Sequence, residues 1–263
     1  MSSVSGILIA TAIAAPAVAV LLRLEKTRPI EPEQPRGEIL MDYWIVALNV
    51  AAGLCLTSIV GGYAAECIRA VGGGFVALRS DGWWFAVSLS VVILAGDFFA
   101  YLVHRAQHAI PTLWAMHSLH HSAACLTLVT GARHFWGEQF IILALYTISI
   151  GMLFTIPPDI RIAAGFIYFL PDACAHLNIR IPFGRFSGLV NNPQYHRIHH
   201  SVCPQHRNKN FCKLLPIFDV IFSTAWLPGV DEFPATGLRY QPAGIVDAAL
   251  WPLRPHVDKG IQE

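Results

Sequence analysis

The sequence has few charged residues for its length. Asp, Glu, Lys and Arg make up 13% of the 263 residues, whereas hydrophobic residues make up 54%, and the mean hydropathy is +0.50. Water-soluble domains carry about a quarter charged residues, so this composition predicts that much of the surface faces lipid. The formal net charge of +1 provides no excess of positive charge for a polyanion, and we expect no nucleic acid partner.

Motifs of several enzyme and metal-site classes are also missing. The six cysteines show no CxxC spacing, which disfavours a zinc ribbon and a disulfide framework. The sequence contains no HExxH, which disfavours a zincin protease. It contains no GxSxG or GxGxxG either, so no reductase domain is evident.

The chain does contain a series of long apolar segments. A helix needs roughly 20 mostly apolar residues to cross a bilayer. Four segments approach this length, and a fifth is shorter and interrupted by Pro171 and Asp172. The five are residues 4–22, 43–65, 83–103, 140–156 and 160–175.

The basic residues predict how these segments are oriented. If the N-terminus lies outside, 15 of the 18 Lys and Arg residues fall on the cytoplasmic side, in agreement with the positive-inside rule. All 12 histidines fall on that side as well, although they played no part in drawing the topology. We therefore predict an all-α, multi-pass membrane bundle of about four or five membrane helices with a cytoplasmic helical cap.

Eight of the histidines form three groups, which we call the histidine boxes. They are His104 and His108 in "DFFAYLVHRAQH", His117, His120 and His121 in "HSLHH", and His196, His199 and His200 in "HRIHH". On a helix, residues three and four apart lie on one face. A single histidine is more often a satisfied core residue than a ligand, but eight with helical spacings indicate a metal site.

Eight imidazole nitrogens exceed the about four to six ligands of one ion, so the boxes predict two ions. Imidazole binds iron, zinc, copper and nickel, and ligand type alone does not choose among them. His176 and, less strongly, His134 are further candidate ligands. Asp97 lies on the same helical face as His104 and either bonds a ligand histidine's second ring nitrogen or serves in helix packing.

Several of these stretches resemble the membrane fatty acid hydroxylase/sterol desaturase superfamily. They are "DFFAYLVHRAQH", "HSLHH" and "NPQYHRIHH", and the resemblance extends over residues 97–224. "HLN", which begins at His176, is similar to an isolated histidine-asparagine element of this family. "NKNFCKLLPIFDVIFST" resembles its closing element, although Phe218 replaces a Trp there and Ser223 replaces a Gly. These replacements leave the subfamily, and hence the substrate, open.

The resemblance implies a centre of two iron ions that uses O2 to oxidise a C–H bond of a lipid or lipid-like apolar substrate. A separate electron-donor protein would be required. The implied catalytic domain is residues 83–230, after membrane helices and linkers in 1–82 and before a C-terminal tail in 231–263. The expected ligands, apart from the less certain His134, are His104, His108, His117, His120, His121, His176, His196, His199 and His200.

Three functions remain open at this point. The first is a di-iron lipid hydroxylase, and the second is a desaturase of a sterol or acyl chain on the same scaffold. The third, a membrane zinc-binding or metal-transport protein, is less favoured. Apart from Asp97 and Asp172 the spans carry almost no polar residues for a transport path, and the histidines all lie on one side.

Overall fold

Helices make up most of the structure. The computed structural model describes residues 3–33 and 35–254. Six longer helices are followed within these residues by three short ones. They are α1 (Ser3–Thr27), α2 (Arg36–Ala70), α3 (Trp84–Ala109), α4 (Pro111–His121), α5 (Glu138–Leu153), α6 (Pro158–Ala175), α7 (Pro193–His199), α8 (Ile217–Ile221) and α9 (Ile245–Ala249). Short 3-10 turns occur at Thr130–Ala132, Gly184–Gly188, Pro204–His206 and Trp251–Leu253.

Proline fixes the start of several helices. Pro111, Pro158 and Pro193 lie in the first turns of α4, α6 and α7, where a missing N–H costs no hydrogen bond and the fixed φ suits a helix. Asn192 also caps α7, because its side-chain oxygen accepts the Tyr195 N–H at 3.0 Å. Local sequence signals therefore explain why a helix of only seven residues forms around the third histidine box.

Each predicted apolar segment is mostly helical, although the segment 140–156 leaves the helix after Leu153. Among the described residues, α2 and α3 are long and apolar enough to cross a membrane, and α5 is a shorter apolar helix. α2 exposes large apolar side chains such as Trp44, Leu54 and Tyr63. Such exposure would be unfavourable in water and suits a helix that faces lipid. The structure thus confirms a mostly helical chain with two membrane-capable helices.

One small sheet departs from the all-α prediction. Strand β1 (Val76–Ala77) pairs in parallel with strand β2 (Phe154–Thr155). β1 follows α2 and β2 follows α5, so the pairing places the two linkers at the same end of the bundle. Gly74 allows this contact, since its φ is +80° and a Cβ there would lie 2.6 Å from the Thr155 hydroxyl oxygen.

α3 is packed on several sides by other helices. Val92 and Ile93 form a core cluster with Ile160 and Ala164 of α6 and with Leu214. The Tyr168 hydroxyl of α6 donates to the Ile93 carbonyl oxygen at 2.7 Å. α3 is therefore a fixed support for the histidines at its C-terminal end.

Polar contacts attach residues of the N-terminal helices and their linker to segments after α4 and after α6. Arg133 donates to Asp42 at 2.8 Å, and Arg197 of α7 donates to Glu31. Glu25 accepts the N–H groups of Leu128 at 2.7 Å and of Asn178 at 2.9 Å. Breaking a buried ion pair by removing one partner costs about 3–5 kcal/mol, so these contacts strongly restrain the elements that carry the histidine boxes.

Candidate metal centre

The first two histidine boxes face each other across a tight helix–helix turn. His104 and His108 lie in the last turns of α3, and Ile110 adopts an extended backbone conformation before Pro111 starts α4. α4 packs Ala115 and Leu119 against Ile45 and Trp251. The apolar face of α4 is thus buried on the far side, which leaves its histidines directed toward α3 and α7.

The third box and His176 complete the assembly. His196 and His199 lie on α7, and His200 follows directly, while His176 caps the C-terminus of α6. Eight of the nine expected ligands are between 2% and 6% exposed, and His104 is partly buried. Burying so many imidazoles costs free energy unless their ring nitrogens have hydrogen-bond or metal partners.

The nine histidines form two groups. The first, the five-histidine group, contains His104, His108, His117, His121 and His199. The second, the four-histidine group, contains His120, His176, His196 and His200. Within each group the candidate ligand nitrogens all lie within 4.8 Å of one another. The structure therefore brings together every histidine of the three boxes and His176.

The nitrogen positions in the four-histidine group fit a metal ion. Nε2 of His176 lies 3.0 Å from Nε2 of His120 and 3.0 Å from Nε2 of His196. His200 Nε2 lies 3.2 Å from His196 Nε2. Two nitrogens bound at right angles to one ion, with bonds of about 2.1 Å, are about 3.0 Å apart. Hydrogen bonds alone would pair these nitrogens two at a time and would not explain their convergence.

Backbone carbonyls set the tautomers of two members of the five-histidine group. His104 Nδ1 lies 2.9 Å from the Phe211 carbonyl oxygen, and His199 Nδ1 lies 2.8 Å from that of Lys209. A carbonyl oxygen only accepts, so Nδ1 carries the proton in both rings and Nε2 keeps its lone pair. His199 Nε2 lies 3.1 Å from His121 Nε2, which is again a spacing that suits two ligands of one ion.

Burial disfavours the charged form of several of these histidines. It lowers the pKa of His176 to about 3. Burial first, and neighbouring histidines second, hold the pKa values of His120, His121, His196 and His200 well below the ordinary range. Neutral imidazole is the form that binds metals, so the cluster is ready for a cation at neutral pH.

Glu138 is a site residue that the sequence did not single out as a functional group. It begins α5, is 2% exposed, and its carboxylate accepts the His117 Nδ1–H at 2.7 Å and a hydrogen bond from Gln107. Burial opposes its ionisation, but His117 and His134 outweigh burial and lower its pKa to about 2. His117 Nε2 is left without a hydrogen-bond partner among the described residues. An acid at the start of an apolar segment, four residues after a histidine, was the available signal.

Other candidates take different positions. His134 belongs to neither main group. It stacks on His120 at 4.3 Å and lies with its Nδ1 3.4 Å from Glu138, with which it forms a further cluster that includes His117. The Asp97 carboxylate accepts the N–H groups of Leu214 at 2.9 Å and Leu215 at 2.7 Å. The sequence left open whether Asp97 bonds a ligand histidine or serves in helix packing; the hydrogen bonds of its carboxylate go to the chain that precedes α8.

A cavity of about 400 Å³ adjoins the two groups. Four ligand candidates contribute to its wall, namely His108, His121, His199 and His200, together with Trp114. Its volume falls within the roughly 300–1,000 Å³ of small-molecule pockets. A molecule in this cavity would therefore contact the histidines directly.

Comparisons with known proteins agree with this site. The sequence model described as Fatty acid hydroxylase matches residues 89–224. Alkylglycerol monooxygenase of Caenorhabditis elegans is 29% identical over 195 residues, which cover 70% of this chain and 38% of that protein. Ornithine lipid hydroxylase of Rhizobium tropici is 26% identical over 214 residues, which cover 79% of this chain and 64% of that protein.

A third relative is named for a different activity. Very-long-chain aldehyde decarbonylase of Oryza sativa subsp. japonica is 30% identical over 185 residues, which cover 61% of this chain and 29% of that protein. The chain thus spans less than two thirds of the length of each of these three relatives. No solved structure gives a significant match.

The family match covers the functional part of the chain. Residues 89–224 are more than half of the sequence and contain all members of the five-histidine and four-histidine groups. The matched relatives include an alkylglycerol monooxygenase and an ornithine lipid hydroxylase. On this match and the histidine geometry, the chain belongs to the fatty acid hydroxylase family.

Proposed function

We propose that this protein is a membrane-bound di-iron oxygenase that hydroxylates a lipid, or another apolar substrate, at a C–H bond. It would use O2 and electrons from a separate donor protein. One observation carries the proposal: two adjacent groups of histidines, most of them buried, lie at the end of a membrane-capable helix and open onto one cavity. The alternative outcome on the same scaffold is desaturation.

The two groups would hold one iron ion each. Five nitrogens in one group and four in the other are plausible ligand numbers for two ions and too many for one. When bound, the iron pair supplies the redox chemistry through which O2 oxidises an unactivated C–H bond. The protein supplies the ligands, their orientation and the cavity. Phe211, Lys209 and Glu138 fix ring orientation through hydrogen bonds to Nδ1.

The membrane arrangement is part of the proposal. We place the N-terminus outside, the apolar helices across or within the bilayer, and the histidine boxes on the cytoplasmic side. The pairing of β1 with β2 supports this arrangement, because it joins the linker after α2 to the end of the fourth apolar segment, and the basic-residue pattern assigns both to the outside. The catalytic domain would comprise residues 83–230, with membrane helices and linkers in 1–82 and a tail in 231–263, of which residues 255–263 lie outside the described part.

Lipid analysis under 18O2 tests the reaction. Membranes from cells that express the full chain are compared with membranes from cells that express His120→Ala and His199→Ala variants. We expect a lipid that gains one 18O atom only with the unmodified protein. A lipid that loses two hydrogens without gaining oxygen would establish the desaturase instead. No oxidised lipid, together with purified protein that holds no iron after anaerobic loading, would contradict the proposal and revive zinc binding or transport.

Replacement of Glu138 by glutamine is expected to weaken iron binding and oxidation by about 10–100-fold, the usual cost of losing a partner that orients a ligand histidine. Glutamine keeps the shape but removes the charge that faces the His117 Nδ1–H. The measurement is the iron retained per chain during titration with a chelator. Glu66→Gln is the matched control, because Glu66 is 69% exposed on α2 and far in sequence from the site. Equal iron retention in the two variants would show that Glu138 does not orient a ligand.

A further inference from the structure

The cavity beside the histidines has a feature that C–H oxidation does not require. Arg207 and Arg239 both line it, together with the four ligand candidates. No aspartate or glutamate is among its described lining residues. Both arginines are exposed to solvent, so they lie at the mouth of the cavity, where a purely apolar molecule would gain no ionic contact from them.

The two arginines have no ion-pair partner among the described residues. Other arginines of this region do have partners or stack on rings: Arg197 pairs with Glu31, Arg180 lies over Phe233 and Arg185 lies over Phe186. A guanidinium group presents its N–H donors in a planar fork that matches carboxylate and phosphate oxygens. Two such groups at one cavity are therefore suited to an anion.

The backbone near Arg239 is anchored to the segments that follow the second and third histidine boxes. Thr236 forms a β-bridge with Ser201, and its hydroxyl donates to the Ala124 carbonyl oxygen at 2.9 Å. Gly237 has a φ of +109°, and a Cβ there would lie 3.0 Å from the Ala124 Cα. This wall is thus held closely against the end of the second histidine box.

Arg207 follows a similarly anchored turn. Its N–H donates to the Pro204 carbonyl oxygen at 3.2 Å. The preceding residue, His206, is buried between the Ser201 hydroxyl at 2.9 Å and Glu232 at 3.0 Å. Both arginines therefore start from fixed backbone positions, which lowers the entropy lost when their side chains bind a ligand.

Apolar groups share the same cavity. Trp114, Val202 and Leu238 line it beside the arginines. A wall with both guanidinium and apolar surface suits an amphiphile better than a free inorganic anion. The volume of about 400 Å³ accommodates a headgroup and the first carbons of a chain, while a longer chain would extend outside.

We propose that this cavity binds the anionic headgroup, a carboxylate or a phosphate, of an amphiphilic lipid, with Arg207 and Arg239 as the pairing residues. The identification of that lipid as the substrate rests on the proposed function, but anion binding does not. Because the arginines and the histidines line one cavity, the oxidised carbon would lie within a few bonds of the charged group.

Binding is measured with the purified full chain in neutral detergent, by calorimetric titration. The probes are dodecanoate, dodecyl phosphate, dodecan-1-ol and inorganic phosphate. The proteins are the unmodified chain, an Arg207→Gln/Arg239→Gln double variant, and Arg185→Gln as the control for loss of an exposed arginine outside the cavity. We expect the unmodified chain and the control to bind at least one anionic amphiphile about tenfold or more tightly than the alcohol. The double variant should lose this preference and retain its affinity for the alcohol.

Several results would overturn the proposal. They are equal affinity for alcohol and anions in the unmodified chain, a preference that survives in the double variant, and inorganic phosphate that binds as tightly as dodecyl phosphate. An effect of the double variant on electron delivery from an acidic donor protein, without any change in lipid affinity, would assign the arginines to donor docking instead. None of these binding measurements requires oxidation. Anion selectivity in a chain that proves inactive would therefore refute the oxygenase proposal and leave the anion-binding proposal intact.

Discussion

Alanine in place of His176 is expected to lower the iron content of the loaded protein from about two ions per chain to about one or fewer, and lipid oxidation by at least about 100-fold. His176 lies outside the three histidine boxes, yet its Nε2 is 3.0 Å from those of His120 and His196. Without it the four-histidine group keeps three nitrogens. The five-histidine group contains no His176 nitrogen, so one ion should remain bound more firmly than the other.

Metal analysis after anaerobic loading and gel filtration checks this result. His206→Gln is the matched control: His206 is also buried, but it bonds Ser201 and Glu232 and belongs to neither group. Elution volume separates loss of metal in a folded chain from unfolding. A folded His176→Ala protein with two ions and full oxidation would remove His176 from the ligand set.

The second large effect is expected from Asp219→Ala, which should lower the free energy of unfolding by about 4 kcal/mol or more. The Asp219 carboxylate is fully buried and accepts four hydrogen bonds. Its donors are the Tyr195 hydroxyl at 3.0 Å, the Phe211 N–H at 2.8 Å, the Cys212 N–H at 2.9 Å and the Thr224 hydroxyl at 2.7 Å. Alanine would leave all four donors buried without their acceptor.

The elements that Asp219 connects explain the size of this effect. Tyr195 belongs to α7, which carries the third histidine box, and Phe211 supplies the carbonyl that orients His104. Loss of Asp219 should therefore loosen the candidate metal centre as well as the segments around α7 and α8. Thermal unfolding in detergent measures the change, and Asp231→Ala, at an exposed acid of the same region, should shift the free energy by no more than about 0.5 kcal/mol. Equal Tm values for the two variants would refute this role of Asp219.

Much of the helical fold could be predicted because its signals are local. Apolar runs long enough to span a bilayer produced α2 and α3, and proline placed the starts of α4, α6 and α7. The small β1–β2 pair was missed. Its two strands are two residues each and lie far apart in sequence, so neither carries an alternation that could be recognised.

Contacts between distant residues account for the other differences. Asp97 lies on the histidine face of α3 by periodicity, but its carboxylate holds the backbone of Leu214 and Leu215. Glu138 enters the site because α5 begins beside His117. Helical spacing shows which residues share a face, but it does not show which partner from another element arrives there.

By itself, the sequence determined which side chains could bind metal. The three boxes, with spacings of three and four, together with His176 comprise all nine histidines that the structure brings together. Only the tertiary structure decided how they divide. His117 and His121 join the five-histidine group while His120 joins the other, and the third box is split in the same way. That division depends on the angles at which α3, α4, α6 and α7 approach one another. Those angles are set by packing and buried ion pairs between residues far apart in the chain. Local periodicity carries no information about such contacts.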